Sequence, residues 1–265
     1  IGELFDPRLI TKKIYKINKK KPGNLFDASK AIMTTDTYPK ISIKKVNLNN
    51  TSFKIYGFAK GSGMIHPNMG TMLVYIFIEA NLTKKILNKL LKNNLEDTFN
   101  SISTDGDTST SDTLCLFSLN NKKKINFNLN KNYQLLTQSL LALMKDLSLK
   151  VVKDGEGISK LIKVNVIKSK SKKQAKKIAF SIINSPLVKT AISGEDANWG
   201  RIIAAIGKSE EQINQNKIKV FFGNNLVCQN GSVFKKINLS NLNKYMKNKT
   251  IEISVILQNE KQTIQ

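Results

Sequence analysis

The sequence is poorest in the residues that build metal and nucleophilic centres. His66 is its single histidine, and its two cysteines, Cys115 and Cys228, sit among apolar neighbours without forming a CxxC pair. A zinc site or a Ser/His/Asp triad needs more imidazole or thiolate than this. Both are set aside, no metal is expected, and the cysteines read as reduced core residues. Apolar runs of the roughly 18 to 20 residues needed to span a bilayer are missing, and the opening "IGELFDPRLI" lacks the basic-then-apolar order of a signal peptide. The expectation is a soluble, cytoplasmic protein with no membrane partner. Arginine is also scarce: Arg8 and Arg201 are the only two, so lysine carries the formal net charge of +24. Those lysines are scattered with asparagine and isoleucine, as in "KKIYKINKKK" and "KSKSKKQAKK". Base readout favours arginine forks, and phosphate tracking favours clustered charge with interleaved aromatics. Neither pattern is present, so no specific nucleic-acid partner is expected.

What is present is a globular composition, 40% hydrophobic and 23% charged over 265 residues. "KISIKKVNLNNTSFKIYGFAKG" alternates apolar and polar side chains through two strands joined at Asn49-Asn50. After Thr71, "TMLVYIFIEANL" is apolar on both faces, as expected of a central strand. "LTKKILNKLLKNNLEDTFNSI" carries Leu82, Ile86, Leu87, Leu90, Leu91 and Leu95 at helical spacing. A hydroxyl-rich and carboxylate-rich turn, "STDGDTST", precedes another strand expected to be buried. "NYQLLTQSLLALMKDLSLKVVKDGEG" reads as a helix ending in the turn Asp154 to Gly157. Beyond it come a strand in "SKLIKVNVIKS", a helix stopped near Pro186, a helix from "NWGRIIAAIGKSE", hairpins with Asn230-Gly231 as a turn, and a last strand in "TIEISVIL". Strands and helices alternate without a repeat, which predicts an α/β or α+β fold with units at 1–157 and 158–265.

One stretch raises a chemical question: "GSGMIHPNMGTMLVYI" places Gly70-Thr71 at the mouth of a buried strand. A threonine hydroxyl is a weak nucleophile without a base beside it, and with histidine so scarce the nearest base is the threonine's own α-amine. That amine becomes free only if the bond in front of it is cut. Gly70, lacking a Cβ, permits a strained backbone there. Thr71 Oγ could then attack the Gly70 carbonyl and pass through an ester that water resolves. The new amine, with an ordinary pKa of about 7.7–8.0, would suit general-base work. An isolated Gly-Thr pair more often simply opens a strand, so the local pattern leaves both readings open.

The wider wording resolves that choice by resemblance. "GFAKGSGMIHPNMGTMLVYI" resembles the cleavage-site signature of the glutamate N-acetyltransferase/ornithine acetyltransferase family of arginine biosynthesis. "AIMTTDTYPK", "SISTDGDTSTSDT", "KDGEGISKL" and "NSPLVKTAISGEDANWGRIIAAIG" resemble further motifs of that family in the same order, the set being spread across residues 29 to 207. The resemblance implies a self-processing, N-terminal-nucleophile-like α/β sandwich of the ornithine acetyltransferase/DmpA-like type with a second, smaller α/β domain. It implies that the chain cuts itself between Gly70 and Thr71 into α and β chains that stay together as a heterotetramer. Thr71 would then take acetyl from N-acetylornithine and pass it to glutamate. Some members also accept acetyl-coenzyme A, which would be a substrate; no cofactor is otherwise implied.

Substrate contacts carry over to Thr34, Lys60, Thr71 and Glu156. Lys60 could meet an α-carboxylate as a point charge, and Glu156 could pair with an amino group. Asp105, Asp107 and Asp112 are expected to organise turns, Trp199 and Arg201 to lock the second unit onto the first, and His66 to make a structural hydrogen bond. Gly70 stands where the family usually has Ala, and Ser111 where Asn is common. The family's upstream Thr-Gly oxyanion pair, and an Asn and a Thr from its carboxy-terminal segment, have no counterpart in these residues, so the chain is expected to be a fragment. Two other readings remain: an N-terminal-threonine amidase or aminopeptidase, and an inactive fragment or basic binding module.

Overall fold

The computed structural model describes residues 4–17, 23–48, 51–66, 72–109, 112–119, 127 and 130–257. In chain order these form α1 (Pro7–Tyr15), α2 (Leu25–Ala31), β1 (Lys40–Leu48), β2 (Thr51–Lys60), β3 (Leu73–Ile78), α3 (Lys84–Leu95), β4 (Thr113–Ser118) and α4 (Asn130–Lys153). There follow β5 (Leu161–Ile167), α5 (Lys172–Ile183), α6 (Pro186–Ser193), α7 (Trp199–Lys208), β6 (Ile218–Phe222), β7 (Asn225–Gln229), β8 (Ser232–Val233), α8 (Leu239–Met246) and β9 (Thr250–Leu257). The fold is mixed α/β with two sheets. No helix among the described residues is long and apolar enough to cross a membrane.

The first sheet has the order β1-β2-β3-β4, antiparallel except for the parallel β3/β4 pair. Its inner face, with Val46, Phe53, Ile55, Val74, Ile76 and Ile78, packs against α4. Leu136, Leu140, Leu143, Leu147 and Val151 recur along α4 every three or four residues, so one stripe of this 24-residue helix is buried. Gly57 lets β2 and β3 approach: a Cβ there would lie 2.6 Å from the Tyr75 carbonyl oxygen.

The outer face departs from simple expectation. Register places Ile43, Tyr56, Phe77 and Phe117 in one row and Ile41, Phe58, Tyr75 and Cys115 in the next. Phe77 stacks on Phe117 at 5.0 Å and on Tyr56 at 5.6 Å. The isoleucines of β1 thus point away from the α4 core, while Lys40, Ser42 and Val46 take its inward positions. Strand β4, expected to be buried, is the edge of the sheet as described, with Phe117 41% exposed. Cys115 lies on this outer face and not in a core, whereas Cys228 is buried in the second core.

The second sheet has the order β5-β9-β6-β7-β8. Ile218, Val220, Phe222, Ile251, Ile253 and Val255 pack under Ile178, Ile182, Ile202 and Ile206 of α5 and α7. Pro186 starts a helix as well as ending one. It occupies the first turn of α6, where a missing N–H costs nothing, and the Ser185 side chain caps the Val188 N–H. Polar contacts join the two sheets' helices and loops: Lys176 pairs with Glu96, and Lys189 Nζ donates to the Thr104 carbonyl at 2.6 Å.

Candidate active site

Strand β2 ends at Lys60, opposite Leu73 of β3, and Leu73 lies opposite Thr113 of β4. One end of the first sheet therefore gathers the end of β2 with the residues leading into β3 and β4. Met72 is fixed there from both sides. Its N–H donates to Asp112 Oδ1 at 2.7 Å, and its carbonyl accepts from the Thr113 N–H at 3.0 Å. Gly70 and Thr71 lie outside the described residues; Thr71 is the residue bonded to Met72.

Lys60 is only 7% exposed, and its ammonium donates to the Thr34 hydroxyl at a long 3.4 Å. None of the ion pairs among the described residues includes it. An ammonium carries three donors, and here, among the described residues, one weak hydrogen bond engages them, with Asp112 the nearby carboxylate whose pKa it draws down. The position is therefore suited to an incoming anion.

A second lysine builds the frame. Lys40 is fully buried and its Nζ donates to both Asp36 and Asp154. Asp36 also accepts from the Thr34 N–H at 3.2 Å and the Gly61 N–H at 2.8 Å, tying the turn that carries Thr34 to the residue after Lys60. Asp154, just past α4, accepts the N–H of Thr37 at 2.9 Å and also its hydroxyl. Burial pushes both carboxyls up. The Gly61 N–H, Lys40 and the Thr34 N–H outweigh it for Asp36, as Lys40 and Thr37 do for Asp154, and both sit below the ordinary range.

This frame carries Glu156 to the same end of the sheet. Its N–H donates to the Ser62 carbonyl at 3.0 Å, and Ser62 Oγ lies 3.5 Å from Glu156 Oε1 and 2.6 Å from Thr35 Oγ1. A Cβ on Gly63 would stand 3.1 Å from the Glu156 carboxylate, so a larger residue there would make that carboxylate give by a few tenths of an ångström. Thr34, Lys60 and Glu156, 122 residues apart at their extremes, are thus brought together, Thr34 and Lys60 directly and Glu156 through Ser62.

The neighbouring loops are held by carboxylates and amides. Asp105 accepts from the N–H groups of Met64, Ile65 and Asp107 at 2.6, 3.1 and 3.0 Å. Burial pushes its carboxyl up, and those donors outweigh it. His66 Nδ1 lies 3.1 Å from Asn184 Nδ2, which makes Nδ1 the acceptor, and the ring meets Phe180 edge-on at 5.5 Å. Burial lowers its pKa against the pull of Asp105 and Asp107, in keeping with a neutral ring. Trp199 and Arg201, expected to join the two units, serve the second one. Trp199 packs on its core, and Arg201 donates to the Leu187 carbonyl at 2.9 Å. The joining falls to Asn184, Lys189 and Lys176 instead. Among the described residues no cluster of three or more His, Cys, Asp or Glu could hold a metal ion.

Sequence reasoning missed Asp36, Lys40, Asp154 and Ser62. All four lie inside the quoted motifs, but their role is tertiary. The one local signal was a lysine opening a strand four residues after an aspartate.

With two sheets, flanking helices and a polar site at one sheet end, the molecule falls in the mixed α/β class. Comparison with known proteins narrows it further. The model of the ArgJ family matches residues 1–265. The chain is 40% identical over 258 residues to the arginine biosynthesis bifunctional protein ArgJ of Bartonella henselae, covering 96% of this chain and 63% of that protein. It is 42% identical over 241 residues to the ArgJ protein of Nitrobacter winogradskyi, covering 89% and 58%. The crystal structure of ArgJ from Bacillus halodurans superposes with a TM-score of 0.62 at 32% identity, over 71% of this chain and 88% of the solved one. The chain belongs to the ArgJ family. It spans about three fifths of the length of these curated relatives.

Proposed function

We propose that this chain carries the acetyl-transfer chemistry of an arginine-biosynthesis enzyme. The reaction moves acetyl from N-acetylornithine to glutamate through an acetyl-Thr71 intermediate, after self-cleavage between Gly70 and Thr71. The observation that supports this reading is Lys60, a buried ammonium with one long hydrogen bond among the described residues, at the sheet end where the chain enters Met72. Donor and acceptor share an α-carboxylate, which would complete the coordination of Lys60. Thr34 would be the neighbour that aligns it, and the exposed carboxylate of Glu156 would meet an amino group. The freed Thr71 amine would serve as base for its own hydroxyl. We also read acetyl-coenzyme A as a second donor, the two cleaved chains as subunits of a heterotetramer, and the cytoplasm as the site of action. Each follows from the family resemblance.

Intact-mass spectrometry of the complete gene product tests the scheme. Two chains split between Gly70 and Thr71 are expected, with one acetyl group appearing on Thr71 after incubation with N-acetylornithine and leaving when glutamate is added. An uncut protein that still exchanges acetyl would reject it. Release of free acetate without acetylglutamate would favour the amidase reading. Lys60→Met, which keeps most of the side chain's apolar stem and removes the charge, is expected to raise KM for both N-acetylornithine and glutamate by about 10- to 100-fold. Steady-state kinetics on the cleaved variant would check this; a KM change for only one substrate would place Lys60 away from the shared carboxylate.

A further inference from the structure

His66 is fastened to α5 by a hydrogen bond that a proton on Nδ1 would turn into a clash of two donors. We propose that His66, Asn184 and Ser103 form a hydrogen-bond relay that reverses when His66 takes up a proton: the Asn184 carboxamide turns over, and segment 61–66 stays fastened to α5 in both states.

The relay joins groups far apart in the chain. Asn184, the residue after α5, has its Nδ2 at 3.1 Å from His66 Nδ1 and its Oδ1 at 2.6 Å from Ser103 Oγ. Ser103 Oγ also lies 3.1 Å from the Ile65 carbonyl oxygen. A hydroxyl carries one hydrogen, so it donates to one of these two acceptors at a time. With His66 neutral, Nδ1 accepts from Asn184 and the Ser103 hydrogen goes to Asn184 Oδ1. The Ile65 carbonyl is then served by the Thr104 N–H at 2.9 Å. A proton on Nδ1 makes that nitrogen a donor, and the amide as it stands would oppose it N–H to N–H. Exchanging the amide oxygen and nitrogen removes the conflict without moving the ring. Nδ1–H then donates to Oδ1, Nδ2–H donates to Ser103 Oγ, and the Ser103 hydrogen swings to the Ile65 carbonyl. The same heavy-atom positions therefore satisfy either protonation state. One proton arrives from solvent, and the N–H bond it makes is the only covalent bond that changes.

The surroundings permit the turn. The terminal torsion of an asparagine is broad and roughly two-fold, and the neighbour against this carboxamide is Gly106, where a Cβ would lie 3.4 Å from Asn184 Cγ. Phe180 of α5 meets the imidazole edge-on and holds its plane. The charged groups around the ring are Asp105 and Asp107 in the loop before β4, Asp112 across a shared cavity, Lys176 over the Phe180 ring, and Lys189 of α6, which reaches the Thr104 carbonyl. Burial lowers the His66 pKa further than Asp105 and Asp107 raise it, so the proton enters below the ordinary value of 6.5. With the folded pKa depressed, stability is lost as pH falls from the unfolded value to the folded one. Below that the loss stops growing, because the reversed relay holds the proton. Segment 61–66 follows Lys60 and carries Ser62 and Gly63 beside Glu156, so the relay keeps this end of the first sheet in place on acidification.

Neutron diffraction from deuterated crystals of the complete gene product, at about pH 8 and about pH 5, on either side of the imidazole range, reads the relay directly. At the higher pH, Nδ1 is expected to carry no deuterium and Asn184 Nδ2 to face it. At the lower pH, Nδ1 is expected to carry one, Asn184 Oδ1 to face it, and the Ser103 deuterium to point at the Ile65 carbonyl. A charged His66 beside an unturned Asn184, a ring swung away from Asn184, or a neutral His66 in both crystals overturns the proposal. In solution, the amide-exchange protection of residues 61–66, corrected for intrinsic rates, is expected to differ by less than about threefold between the two pH values, and to fall about tenfold in Asn184→Leu at both. Wild-type protection that drops at the lower pH to the level of Asn184→Leu shows that protonation breaks the fastening, and overturns the relay. Unchanged protection in Asn184→Leu overturns it too, since the amide then fastens nothing. Should Asn184→Leu not fold, the wild-type crystals decide.

Discussion

Thr71→Ala is expected to leave the complete gene product as one uncut chain and to lower acetyl transfer by a factor on the order of 10⁴ or more. The substitution removes both parts of the chemistry. Without a hydroxyl the Gly70 carbonyl is not attacked, so the amine that would act as base stays an amide. Thr71→Ser keeps a hydroxyl and should still cut. The two steps should also differ in pH dependence. Transfer by the mature protein should rise toward a plateau near the ordinary α-amine range of about 7.7–8.0, because only the neutral amine accepts a proton. Cleavage, which precedes that amine, should lack this limb. Mass spectra and initial rates across pH check both halves, and a Thr71→Ala chain that still cut at the same bond would sink the account.

Lys40→Met is expected to destabilise the fold by about 3–5 kcal/mol, the usual result of breaking a buried ion pair from one side. Lys40 and Asp36 have no exposed side-chain surface and Asp154 has 3%, so little water can replace the lost cation. Against a typical total stability of about 5–15 kcal/mol, this is a large share. In the wild type, the folded pKa values of Asp36 and Asp154 are depressed. Their contribution is therefore present above the unfolded carboxylate range, near 3.9, and is lost as pH falls through the folded values. Removing Lys40 removes a large part of the cause of that depression. The deficit of the variant should thus be greatest at neutral pH and narrow on acidification. Denaturant midpoints at several pH values measure it. Adding Asp154→Asn to Lys40→Met should recover part of the loss, because one fewer charge is left unpaired. Lys40→Met should also lose order around Thr34 and Glu156, since Asp36 ties the Thr34 turn to Gly61 after β2 and Asp154, two residues before Glu156, is held by Thr37 and Lys40.

Much of the secondary structure is legible in the sequence because each element repeats a period. The leucines of α3 and α4 recur at helical spacing, and β1 and β2 alternate on either side of Asn49-Asn50. Less legible is the face each strand buries. Ile41 and Ile43 suggest an inward face for β1, yet they stand with Phe58 and Tyr56 on the outer, aromatic face. Lys40 and Ser42 point toward α4, where Asp154 at the helix end receives Lys40. A lysine's partner 114 residues away leaves no local trace. Arg201, expected to lock the second unit onto the first, instead donates to the Leu187 carbonyl of its own unit.

By itself the sequence determined the chemical inventory. It offers one histidine, no cysteine pair, a Gly-Thr bond before a buried strand, and motifs bearing Thr34, Lys60 and Glu156, because composition and short-range order require no folding to be read. Only the tertiary structure decided which charges are sheltered from water and which groups meet. Among the described residues it left Lys60 buried with one long hydrogen bond and put Lys40 between two aspartates. The reason is physical: burial and partner choice depend on strand register and on which face packs against α4, quantities set by the whole chain and not by any stretch of it.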